Sequence, residues 1–194
     1  MSRSYYTLVV SLPRLPSIEQ AERLPITPLR LEQRLHMLDE DDAAQLARVR
    51  PLIDWRRTQL RNATDAEAVR KFQELLNSPL CPSLREYVEF RIDQMTILAA
   101  MRRRKRGEGP PSSDVAWGAG TYLRQIAEHW QAPDFNLSIR QRWVTEALHE
   151  FESGDAKNLE QVLKHAAWRK VDQLAAGSPF GFEAVLDRKS TRLN

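Results

Sequence analysis

Twenty-five residues in the middle of the chain, PSLREYVEFRIDQMTILAAMRRRKR over 82–106, restrict the possible folds more than any other stretch. Pro82 suits the first turn of a helix and Ser83 can cap free backbone N–H groups. Leu84, Tyr87, Val88, Met95 and Leu98 fall on one helical face, and Phe90, Ile97 and Met101 form a second apolar strip beside it. A helix apolar over so much of its circumference is covered from more than one side. At 1.5 Å per residue it runs roughly 35 Å, the width of a small domain. Its exit, Arg102, Arg103, Arg104, Lys105 and Arg106, sets cations against the negative end of the helix dipole, and the glycines and prolines of 107–111 stop it. The sequence predicts a long central helix over 82–106 with a charged end.

The flanking segments read as helices too. YYTLVVSL, residues 5–12, is rich in β-formers and reads equally as a short strand or as a first helical turn. Pro13, Pro16, Pro25 and Pro28 then allow one short helical piece near Ile18–Leu24. Pro28 opens a helix with Leu29, Leu31, Leu35 and Leu38. The acids of 39–42 precede another, with Leu46, Val49, Ile53 and Leu60 inward. Thr64 and Asp65 cap a helix to Leu76 that turns Val69, Phe72, Leu75 and Leu76 inward. Beyond the central helix, Asp114 is a candidate cap for a helix carrying Val115, Trp117, Tyr122, Leu123, Ile126 and Trp130. Helical periodicity recurs over Leu137–Phe151 and over Ala156–Ala176, with a turn at Ser153, Gly154 and Asp155. Phe180–Leu186 reads as the start of one more helix. The expected fold is all-α, a multi-helix bundle around the central helix, with a possible extended segment at the N-terminus.

With 42% hydrophobic and 28% charged residues, the chain has the composition of an ordinary globular protein and no apolar run of membrane-spanning length. Cys81 is the single cysteine, so no internal disulfide can form, and a reducing, cytoplasmic compartment is expected. The last eight residues, DRKSTRLN over 187–194, break the pattern and are similar to the translation of a common sequencing adapter. They read as a foreign end on a truncated frame, so one helical domain over 1–186 is expected. The tail carries a net charge of +2 and leaves +1 on the rest. The pI near 9.2 is then a weak argument for nucleic-acid binding.

Constellations that could carry chemistry are few. Glu146 and His149 have the E-x-x-H spacing of carboxylate-bridged metal bundles, but there is no second copy. His36, His129, His149 and His165 lie on separate segments and read as solvated or core-edge side chains. The acids of 39–42 lack the alternating oxygen ligands and glycine of a calcium loop. No dinucleotide fingerprint, phosphate loop or nucleophile elbow occurs. A non-catalytic protein is expected, with no cofactor, no metal and no small-molecule substrate. The candidate partner-binding residues are Arg102, Arg103, Arg104, Lys105 and Arg106. Acidic proteins suit that run; nucleic acid is the alternative, less favoured because no aromatic residue is interleaved with the cations.

Four landmarks resemble a family of bacterial proteins encoded in V/A-type ATPase operons: the opening YYTLVVSLP of 5–13, LDEDDA of 38–43, MRRRKRG of 101–107 and FGFEAVL of 180–186. That family is similar to the d-type subunit of these ATPases, an all-helical, funnel-shaped protein joining the rotor shaft to the membrane ring. The resemblance covers residues 5–186. It implies a non-catalytic component or assembly factor whose partners are ATPase subunits. Its place would be the cytoplasm, or the periphery of the inner membrane through the complex. The helix the family carries after Phe180 is cut short here.

Overall fold

The computed structural model describes residues 5–13, 26–53, 64–112, 116–176, 181–182 and 184–185. The protein is all-α. Among the described residues there are eight helices and no strand: α1 Tyr6–Ser11, α2 Pro28–Leu35, α3 Glu40–Ile53, α4 Asp65–Asn77, α5 Pro82–Lys105, α6 Leu123–Glu128, α7 Trp143–Ser153 and α8 Ala156–Ala176. No described helix is long and apolar enough to cross a membrane. The chain divides into two compact units, one of Met1–Thr58, Pro79–Tyr87 and Trp168–Asn194, the other of Gln59–Ser78 and Val88–Ala167.

In the first unit, the ambiguous opening segment is helical. Tyr5, Leu8, Val9 and Leu12 are buried while Tyr6 and Val10 are exposed. Spacings of three, one and three put the buried set on one helix face, whereas a strand would have alternated. The Tyr5 phenol donates to the Asp42 carboxylate at 2.5 Å and accepts from the Asp39 amide at 3.3 Å. Burial is the main reason its pKa is pushed up to about 12, and the bond to Asp42 adds to it. In α2, the Thr27 hydroxyl accepts from the Arg30 amide. α3 has Glu40, Asp41 and Asp42 in its first turn and buries Leu46 and Val49. Gln45 accepts from the Cys81 amide at 2.6 Å. Lys170 of α8 pairs with Glu86 of α5 at 2.5 Å.

In the second unit, Thr64 and Glu67 form a reciprocal capping box at the start of α4, with Val69 and Phe72 buried. The part of α5 belonging to this unit is buried or half-buried over all of Arg91–Met101. Its buried residues include four polar ones, Arg91, Asp93, Gln94 and Thr96. Leaving a buried polar group unpaired costs about 1–3 kcal/mol, and these side chains find partners. Arg91 donates to Gln94 at 2.6 Å, and Gln94 donates to the Leu163 carbonyl at 3.2 Å. Thr96 donates to the Ala119 carbonyl at 2.6 Å and accepts from the Ala119 amide at 3.1 Å. Asp93 accepts from the Thr121 amide at 2.6 Å. Burial of Val88, Ile92, Ile97 and Met101, at roughly 1.5–3 kcal/mol each, dominates the balance. The hydrogen bonds fix which loop lies where.

Those bonds explain one departure from the sequence reading. The helix expected to run through Trp117 and Tyr122 to Trp130 is the six-residue α6 alone, and residues 116–122 are irregular. The backbone groups of 119 and 121 bond to α5 side chains instead of to a helical turn. A Cβ on Gly118 would come within 2.7 Å of the Thr96 methyl. Gly120 has φ +102°, and a Cβ there would fall 2.2 Å from an Asp93 oxygen. Only glycines admit so close an approach.

A second departure concerns the helix expected over Leu137–Phe151. It begins at Trp143, and turns occupy most of 129–142. Asp134 accepts from the Asn136 and Ser138 amides, an arrangement that competes with helix. α8 matches its predicted bounds, and α5 ends one residue earlier than expected. The expected helical piece near Ile18–Leu24, Leu60, Asp114 and Val115 lie outside the described residues, as does the tail 187–194.

Candidate functional site

Most of the cationic exit of α5 is engaged within the second unit. Arg102 is exposed. Arg103 pairs with Asp65 at 3.0 Å and with Glu108 at 2.9 Å. Arg106 pairs with Glu108 at 2.5 Å. Two cations draw the Glu108 carboxyl below the ordinary range, the Arg106 hydrogen bond most strongly. Lys105 donates to the Phe151 carbonyl at 3.1 Å, and its ammonium lies 4.8 Å from the centre of the Phe151 ring.

Arg104 organises the loop after α6. Its guanidinium donates to the carbonyls of Trp130, Ala132 and Pro133 at 3.5, 2.6 and 2.5 Å. It also lies 4.5 Å from the centre of the Phe135 ring. Desolvation lowers its pKa, yet an arginine stays charged at any working pH. Phe135 is fully buried at φ +53° and Asn136 follows at φ +56°. A bulky aromatic residue in the left-handed region is strained and persists only where its surroundings enforce it. The surroundings here are specific. Trp130 lies 5.7 Å from Phe135, centre to centre, and donates its indole N–H to the Glu108 carbonyl. The Gln125 amide donates to the carbonyls of Phe135 and Asn136. Asp134 closes the turn through Ser138 and Asn136, bonds that hold its carboxyl below the usual aspartate range.

The fixed loop and α6 border a groove of about 510 Å³. From the helix side come Thr121, Arg124, Gln125, Glu128 and His129, and from the loop come Asn136, Ile139 and Arg140. Arg124 and Glu128 pair at 2.7 Å one helical turn apart, which raises the arginine and lowers the glutamate pKa. The Arg140 guanidinium has no hydrogen-bond or ion-pair partner among the described residues, and Ile139 is 92% exposed. Among the described residues of this unit, that isoleucine on the rim of a polar groove is the most exposed large apolar side chain. The sequence signalled none of this, because Arg124, Ile139 and Arg140 become neighbours only through the turns of 129–142.

The other sequence candidates have structural placements. Glu146 and His149 lie exposed on α7, and His149 faces Glu150 at 3.2 Å. His36 and His129 are exposed and His165 is half-buried. No group of three or more histidine, cysteine or acidic side chains able to hold a metal ion occurs among the described residues. Of the acids at 39–42, Asp42 binds Tyr5 and Gln45, and Asp39 accepts from the Asp41 amide. Among the described residues the most perturbed carboxyl is Asp93, raised to about 6 chiefly by burial, against which the Thr121 bonds pull downward.

No protein-family model, curated protein or solved structure matches this chain.

Proposed function

We propose that this chain is a non-catalytic helical adaptor of a rotary V/A-type ATPase, either a component similar to the d-type subunit or an assembly factor. One observation supports the reading best: three of the four landmarks that resemble the operon family act here as joints of the scaffold. The opening segment is tied to the acidic one through Tyr5 and Asp42. The arginine-rich segment holds α4, the 108–109 exit and the 130–133 loop through Arg103, Arg104 and Arg106. Side chains that brace helices suit an adaptor, whose work is to keep faces in register for neighbouring subunits. Arg102, and the exposed side of Arg106, remain to meet an acidic partner.

The nucleic-acid alternative draws on the same five cations. With Arg103, Arg104, Lys105 and Arg106 bonded within the chain, that alternative loses most of its phosphate contacts. Affinity purification of the full chain from its native host, followed by identification of co-purifying proteins, tests the proposal. Recovery of ATPase subunits is expected, and their consistent absence would contradict it.

A further inference from the structure

We infer that the groove between α6 and the 134–140 loop is a docking site for an acidic, apolar-containing peptide segment of a partner protein. This site does not depend on the ATPase reading. Three observations combine. First, the loop is held in a strained shape by Arg104, Gln125 and Asp134, and that shape sets Asn136, Ile139 and Arg140 along the groove. Strained backbone that persists because its surroundings enforce it clusters at active sites, ligand clamps and switch regions. Second, the groove is charged unevenly. Arg124 is neutralised by Glu128, while Arg140 is unpartnered among the described residues and His129 stands exposed nearby. The surplus is positive and calls for a carboxylate. Third, Ile139 is 92% exposed at the same rim, so an apolar side chain of the ligand has a place to bury.

The occupant follows from this lining. A groove of about 510 Å³ is large enough for two or three side chains. No Phe, Tyr or Trp side chain lines it, and one unpartnered arginine gives nucleic acid neither a broad stacking platform nor a phosphate track. A peptide placing Leu or Ile against Ile139 and Asp or Glu against Arg140 satisfies both ends, with the Asn136 side-chain amide available to its backbone.

The test uses the full chain and a library of fluorescent octapeptides that pair leucine or isoleucine with aspartate or glutamate. A matched library with lysine in place of the acids, and a single-stranded RNA, serve as comparisons. Acidic members are expected to bind, with amide chemical-shift changes confined to about 121–140. Ile139→Asp and Arg140→Glu are each expected to weaken binding about tenfold or more. Both positions are exposed, so thermal unfolding should be unchanged, and Lys157→Ala, at an exposed cation on α8 outside the groove, should leave affinity intact. Stronger binding of RNA or of the lysine library would overturn the inference. So would shift changes elsewhere on the chain, affinity indifferent to both groove variants, or no binding by any acidic member.

Discussion

An Asp93 carboxylate oxygen lies 2.2 Å from the point where a side chain at Gly120 would begin, and the same carboxylate accepts from the next amide, that of Thr121. The loop therefore rests on α5 backbone to side chain, with nothing between. Gly120→Ala meets two penalties at once, a left-handed φ and a collision with a buried charge. A loss of about 2–4 kcal/mol in unfolding free energy is expected. Gly154→Ala is the control, since φ is +79° there but nothing lies within 4 Å; about 1 kcal/mol is expected. Chemical denaturation of both variants checks the contrast.

Asp93 also makes a pH signature. Its carboxyl is raised from 3.8 to about 6 in the folded protein. Over that interval the folded state binds more protons than the unfolded one, so this group's contribution to stability falls as pH rises from about 4 to about 6. A two-unit shift corresponds to something on the order of 3 kcal/mol. Asp93→Asn can still accept from Thr121 and cannot ionise. Its stability curve should lack the decline that wild type shows in that window. Equal slopes for the two proteins would contradict the assignment.

Tyr5 makes the opposite end of the pH range informative. The phenol is raised to about 12, so the folded state keeps its proton where the unfolded chain loses it, and stability falls as pH climbs from about 10 towards 12. Tyr5→Phe removes both the decline and the bonds to Asp42 and Asp39. At neutral pH it should cost about 1–3 kcal/mol, because a buried carboxylate and an amide lose their partner. Denaturation at pH 7 and at alkaline pH measures both effects.

Much of the fold is legible along the chain, for identifiable reasons. α5 and α8 announce themselves because long stretches of strong helix formers meet clear stops at Gly107 and after Ala176. α4 is signalled by Thr64 and Asp65, and the capping box that Thr64 forms with Glu67 needs no distant partner. The region 116–142 is illegible for the converse reason. Ala119, Thr121 and Phe135 take their conformations from Thr96, Asp93 and Arg104, more than twenty residues away in sequence. Local periodicity around Trp117 and Leu137 therefore suggests helix where the chain forms loops. The same distance dependence hid the groove, while four members of the conspicuous run Arg102–Arg106 are bonded within the chain.

Arg104 braces the 130–135 loop and differs in kind from its near neighbour Arg102. Its three carbonyl bonds and its place over Phe135 contrast with an exposed side chain two residues away. The decisive measurement is the unfolding free energy of Arg104→Ala beside that of Arg102→Ala. A loss of about 2–4 kcal/mol for the first and no more than about 0.5 kcal/mol for the second is predicted; equal, small losses for the two would contradict it.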